Sequence, residues 1–185
     1  APGAAADPPG PADIETIEPV IPAIAAEVPG IGRITREDFL NRLGKEMNPN
    51  PQQRKPVWLA ALDALVSDRL VDHRARVAAK ESDPAKRFEI TDRDVDAAID
   101  RLLAEARRKV PGISLRALLI QARQNYTNFR RSVARELALD RIVVYTRGVP
   151  IEKAADPKQR QAVRDEMKAQ ALRDHQIEYF EKGDT

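Results

Sequence analysis

The chain has 185 residues, with 31 Lys and Arg against 29 Asp and Glu and a formal net charge of +2. It has no cysteine, which excludes disulfides, thiolate metal sites and a cysteine nucleophile. No run of the sequence approaches the roughly 20 apolar residues of a membrane span, and the Ala-, Leu- and Arg-rich middle favours helices.

The first 32 residues differ in composition from the rest. They hold five acids, no Lys or Arg, and seven of the 14 prolines. Proline removes backbone donors and biases its neighbours toward extended conformations, so the pattern predicts an extended, acidic, proline-rich tail over 1–32. The sequence begins at Ala1-Pro2-Gly3 without methionine, which is typical of a mature N-terminus after signal-peptide removal. We therefore expect an extracytoplasmic location.

Two helices are predicted after the tail. Thr35 with Asp38 three residues later forms a capping pattern, and a helix to about Leu43 follows. Proline is tolerated in the first turn of a helix, so Pro56 predicts the start of a second one, which runs to about Lys80. Apolar residues recur along it at three- and four-residue steps, as in an amphipathic helix.

Three further helix starts follow. Thr91 with Asp94 repeats the capping pattern and begins a helix whose apolar stripe runs to Ala106. Ser114 can cap a short helix, and a longer one follows the break at Asn125 to Thr127, ending near Gly148.

A charged helix is predicted from Asp156-Pro157 to about Phe180. Its apolar positions are sparse, so we expect it to lean on a surface rather than fill a core. No strand pattern of useful length is present, apart from a residue pair near Ile31 to Ile34.

The middle of the chain resembles the N-terminal domain of SurA-type periplasmic chaperones, relatives of the PrsA foldases. Three segments carry the resemblance: the leucine-bearing helix 62–70, the Ile-Thr-Asp segment 90–99, and the stretch 114–142, where Phe129-Arg130, Val133 and Glu136 match an F/Y-R-x-x-(I/V)-x-x-E pattern. Gly32 to Phe39 is also similar to the opening of the family's domain. The resemblance covers roughly 31–144.

The resemblance implies an all-α, irregular multi-helix bundle that binds polypeptides. It divides the chain into the tail 1–32, a SurA-like helical domain over 33–150, and a C-terminal helix over 151–185 that packs on or extends from it. Family members usually carry a parvulin prolyl-isomerase domain after this region. Only 41 residues follow Val144 here, so the resemblance implies binding without isomerase activity.

Large aromatic and apolar side chains are the candidates for protein binding. Some of them could line an apolar groove that buries client side chains at roughly 25 cal/mol per Å², although core packing accounts for the same residue types. The candidate binding residues are Trp58, Leu62, Tyr126, Phe129 and Tyr145.

No catalytic, cofactor-binding or metal-binding residues are predicted. His73 and His175 lie on predicted helices, where a structural or solvated histidine is the simpler interpretation. Helical spacing scatters Asp92, Asp94 and Asp96 around an axis, whereas a calcium loop needs non-helical backbone.

Arginines are enriched over 110–141, where six arginines stand against two acids. Together with the pI of about 9.0, this makes nucleic-acid binding an alternative interpretation. The acidic tail and the absence of an aromatic readout surface argue against it. The sequence thus favours a non-enzymatic, chaperone-like domain that binds unfolded or extended clients. The alternative is an accessory subunit that uses the same fold to hold fixed partners in a larger extracytoplasmic or membrane-associated assembly.

Overall fold

The computed structural model describes residues 24–28, 32–43, 51–174 and 178–179, with side chains for 32–39, 42, 57 and 59–174. Most of these residues are helical, as the sequence predicts. The helices of the described part are α1 (Arg36–Leu43), α2 (Pro51–Ala79), α3 (Asp92–Lys109), α4 (Leu115–Gln121), α5 (Tyr126–Arg147), α6 (Ile151–Ala154) and α7 (Pro157–Arg173). None of them combines the length and the apolar character that crossing a membrane requires.

A small antiparallel sheet accompanies the helices. It consists of β1 (Ile24–Val28), β2 (Gly32–Thr35) and β3 (Glu178–Tyr179), in the order β2-β1-β3. β2 lies where the sequence indicates a residue pair near Ile31 to Ile34, whereas β1 and β3 are strands that the sequence pattern does not predict. β1 falls inside the predicted tail 1–32, of which residues 1–23 and 29–31 lie outside the described residues.

The predicted C-terminal helix is too long. α7 ends at Arg173, and Glu178 and Tyr179 pair with Glu27 and Ala26 of β1 instead of continuing the helix to Phe180. Strand pairing depends on a partner about 150 residues away in sequence, which no local pattern at 178–179 can indicate.

Three clusters of buried side chains hold the helices together. The first joins β2, α2 and α7, the second joins α2, α5, α6 and α7, and the third joins α3 to α5. The buried members of the first cluster are Ile34, Val66, Leu70 and Ala171. Those of the second are Val71, Ala138, Leu139, Ile142, Val143, Ala154 and Val163. Those of the third are Val95, Ala98, Ile99 and Val133. α2, α5 and α7 each contribute to two of the three clusters, and α5 is the element that joins α3 to the rest.

α7 does more than lean on the surface, contrary to the expectation from its sparse apolar positions. Val163 is buried in the second cluster and Ala171 in the first, with Met167 packed against both. Its long charged side chains reach acids on α2 and α5, so a helix with few apolar residues is still held firmly.

Helix ends follow local rules with one exception. Ser114, Asn125 and Asp156 each accept a backbone N–H of the first turn, and Gly148 ends α5 in the left-handed conformation at φ 64°. The exception is α2, which begins at Pro51 rather than at Pro56. Pro51 takes the first-turn position that proline favours, and Pro56 follows inside the helix.

The capping box of α3 offers a local test. The Thr91 hydroxyl accepts from the Asp94 amide, and the Asp94 carboxylate accepts from the Thr91 amide at 2.9 Å. The side-chain and then the backbone hydrogen bond from Thr91 lower the pKa of Asp94. The stability that this carboxylate contributes is therefore present at neutral pH and is lost as the pH falls through that lowered pKa.

We expect Thr91→Ala to lower the free energy of unfolding by about 0.5–2 kcal/mol, because the first turn of α3 loses its side-chain acceptor. Urea unfolding followed by circular dichroism measures this change in the free energy of unfolding. Thr127→Ala, an exposed threonine of α5 without a cap hydrogen bond, is the matched control and should change stability by less than about 0.5 kcal/mol. Equal effects would show that the cap contributes nothing.

Candidate functional site

An apolar groove lies between α3 and the N-terminal half of α5. It has a volume of about 410 Å³ and is open to solvent. Its apolar lining, which defines the apolar groove, consists of Ala98, Leu102, Ala122, Phe129, Val133 and Leu137. The size falls in the range of about 300–1,000 Å³ that is typical of ligand pockets.

The groove exists because α3 is only partly covered. Val95, Ala98 and Ile99 in the first half of α3 are buried against α5, whereas Leu102 on the same stripe is 44% exposed. Pro111-Gly112 then turns the chain into α4, where no residue is buried and Ile120 is exposed. Apolar surface is thus left accessible to a partner.

Charged side chains complete the groove. Arg101 and Glu105 of α3 are exposed, and Asp140 and Arg160 line it from α5 and α7. Arg160 donates to both carboxylate oxygens of Asp140, at 2.7 and 2.8 Å. These hydrogen bonds raise the pKa of Arg160 although burial opposes the charge. A paired charge at this position can give specificity without leaving an ion uncompensated.

A network of ion pairs joins α2, α5 and α7 beside the groove. It consists of Asp63, Asp68, Asp72, Arg135, Glu136, Asp140, Arg160, Arg164 and Lys168. Arg164 binds Asp68 at 2.9 Å and Glu136 at 3.0 Å, and Lys168 binds Asp63 at 2.6 Å. A cavity of about 470 Å³ borders this network, but the charges of the network are already paired with one another. The network therefore fixes the three helices relative to one another.

A third cavity, also of about 470 Å³, lies where α1, α2 and the start of α5 meet. Arg42, Arg76 and Arg131 line it, one from each helix, and we call it the arginine cavity. Arg135 and three aspartates also line it. Gln124 and Ser132 line both this cavity and the apolar groove, so the two are neighbours.

Gln124 carries an unsatisfied acceptor at this boundary. Its Oε1 atom is buried and receives no hydrogen bond within the described part of the chain. Such a group costs about 1–3 kcal/mol relative to a satisfied one, so it is an energetic weak point at the boundary between the two cavities.

The predicted binding residues are not gathered in one place. Phe129 lines the apolar groove and packs on the third cluster, while Leu62 is half-buried against the first cluster. Tyr126 and Tyr145 are exposed and lie under guanidinium groups, those of Arg130 at 5.7 Å and Arg74 at 5.8 Å from the ring centroids. Trp58 lies in α2, and its side chain is outside the described residues.

The other residues singled out in the sequence have local partners. Arg130 binds Asp92 at 2.9 Å and also Asp96, which anchors the start of α3 to α5. Burial, followed by Arg76 and Arg74, lowers the pKa of His73, whereas His175 is outside the described residues. In the part of the chain that the structure describes, no three His, Asp or Glu side chains are grouped to hold a metal ion.

Sequence reasoning missed two parts of the site. Leu102 belongs to the apolar stripe predicted to run to Ala106, but a stripe does not indicate where two helices separate. Arg42 and Arg76 lie 34 residues apart and outside the arginine-rich segment 110–141. The Pro111-Gly112 turn after a long stripe was the available signal that the end of α3 lacks cover.

The three segments that resemble the SurA-type domain fall in α2, at the start of α3, and in α4 and α5. Comparison with known proteins adds no further support, because no family model, no curated protein and no solved structure matches the chain. Membership of the SurA-type family therefore stays a prediction from these segments.

Proposed function

We propose that this protein is a non-enzymatic, chaperone-like domain that binds unfolded or extended polypeptides in the apolar groove. The observation that carries the proposal is the solvent-open groove of about 410 Å³, whose apolar lining extends onto the exposed Leu102. The resemblance to SurA-type domains points to the same function. It also motivates the proposed extracytoplasmic, periplasmic location.

The chemistry of the groove suits reversible binding. Full burial of one Leu- or Phe-sized side chain contributes about 1.5–3 kcal/mol, and the ordering of a flexible chain opposes it. A few such side chains give an affinity in the weak range, which allows release. Burial of apolar side chains has no directional requirement, so the apolar lining accepts many sequences, as a protein that shields unfolded clients requires.

We expect Leu102→Glu to weaken binding of an unfolded polypeptide about tenfold, because it places a charge in the groove and removes an apolar contact. Fluorescence anisotropy with a labelled, permanently unfolded, Leu- and Phe-rich polypeptide measures the dissociation constant. Leu59→Glu is the matched control, since Leu59 is also helical, is 58% exposed and lies outside the three cavities. We expect its effect to be less than twofold.

Equal loss in both variants, or no binding by the unaltered protein, would contradict the proposal. Suppression of client aggregation should follow the same order as the affinities. Gel filtration of a native extract tests the alternative of an accessory subunit. Stable co-migration with a partner of fixed stoichiometry, with no affinity for unfolded polypeptide, would favour that alternative.

A further inference from the structure

We propose that the arginine cavity binds an acidic side chain, Asp or Glu, of the same polypeptide whose apolar residues occupy the neighbouring groove. This inference rests on the proposed function and adds a sequence preference to it. It predicts that clients combine an apolar segment with a nearby acid.

The carboxylates around the arginine cavity are already engaged. Arg135 donates to both oxygens of Asp72, at 2.9 and 2.7 Å, and to Asp68 at 2.9 Å. Arg164 binds the other oxygen of Asp68 at 2.9 Å. Asp38 accepts from Thr35 at the start of α1 and pairs with Arg69 at 3.4 Å.

Three guanidinium groups in the same cavity have no carboxylate partner. The side chains of Arg42, Arg76 and Arg131 make no ion pair or hydrogen bond with any other residue that the structure describes. Because they come from three different helices, folding brings their charges to one cavity. Burial lowers the pKa of His73 most, and the positive charge of Arg76 is the second cause.

A carboxylate is the ligand that this arrangement fits. Guanidinium binds carboxylate through two parallel N–H···O bonds, and charge-assisted bonds are stronger than neutral ones. The cavity of about 470 Å³ has room for a short acidic side chain together with its backbone.

Gln124 links the two sites. It lines the groove and the arginine cavity, and its buried Oε1 lacks a donor in the described part of the chain. A polypeptide that crosses from one site to the other therefore passes this residue. One chain would thus fill the groove and neutralise the arginines.

Two labelled unfolded polypeptides test the inference. They share one Leu- and Phe-rich segment, which is flanked by Asp and Glu in the first and by Asn and Gln in the second. We expect the unaltered protein to bind the acidic polypeptide at least fivefold more tightly. In Arg42→Gln/Arg131→Gln the preference should fall below twofold, with little change in affinity for the neutral polypeptide.

The double variant Arg87→Gln/Arg93→Gln separates the cavity from net charge. It also removes two positive charges from exposed side chains, but Arg87 and Arg93, unlike Arg42 and Arg131, line none of the three cavities. We expect it to keep most of the preference, and an equal loss in both double variants would overturn the inference.

The remaining outcomes are also decisive. Equal binding of the two polypeptides by the unaltered protein overturns the acidic preference and leaves the groove standing. Binding of neither polypeptide overturns the proposed function and this inference together. Displacement of the acidic polypeptide by a random single-stranded oligonucleotide at similar concentration would assign the arginines to phosphate instead, against the inference.

Discussion

Leu139→Ala is expected to lower the free energy of unfolding by about 2–5 kcal/mol. Leu139 is 0% exposed and lies in the second cluster, where α2, α5, α6 and α7 meet. Truncation removes apolar contacts and leaves a cavity. Because four helices surround Leu139, they cannot all move inward to fill that cavity. Urea unfolding should show a lower midpoint with an unchanged dependence on denaturant.

Leu172→Ala is the control for this prediction. Leu172 lies on α7, one residue after the buried Ala171, yet it is exposed. We expect a loss below about 1 kcal/mol. If the two variants lost similar stability, Leu139 would not be at the centre of a core.

Asp68→Ala is expected to cost about 2–3 kcal/mol, which is less than the 3–5 kcal/mol for a fully buried ion pair because the site keeps some contact with water. Asp68 is the acceptor that Arg135 and Arg164 share, and its side chain is 18% exposed. Its removal leaves two half-buried guanidinium groups with one carboxylate partner fewer each. Asp72 and Glu136 still hold them, which limits the loss.

The control is an exposed ion pair. Glu105 and Lys109 lie one turn apart on α3 with side chains 62% and 76% exposed, so Glu105→Ala should cost less than about 0.5 kcal/mol. A double-mutant cycle of Asp68→Ala with Arg164→Met measures the coupling directly. A coupling near zero would contradict the description of the network as a structural element.

Local signals predicted the helices well. The cap at Thr91, the cap at Ser114 and the Asp156-Pro157 start all lie where the sequence places them, because each signal acts within one turn. The predicted start of α2 was wrong by five residues. Pro51 and Pro56 both fit a first turn, and the sequence does not distinguish between them.

Long-range features could not be predicted. β3 forms only because β1 is beside it, and α7 is held both by apolar contacts in two clusters and by acids on α2 and α5 that meet its basic side chains. Arg130 and Glu136 belong to the segment that resembles the SurA-type binding domain. In the structure they serve as ion-pair partners between helices. Among the candidates whose side chains the structure describes, Phe129 alone lines the apolar groove, and its local sequence does not indicate which residues face it.

Long separations along the chain also determine when this protein can finish folding. Lys168 meets Asp63 across 105 residues, and Arg164 meets Ser67 across 97. While the chain is being synthesised, Val66 and Leu70 of α2 stay without the cover of Met167 and Ala171 until the last turns of α7 have left the ribosome. Completion of the native state is therefore a late event, and contacts of such high sequence separation are slow to form. A nascent chain of this protein has the same exposed apolar surface that the mature protein is proposed to shield in others.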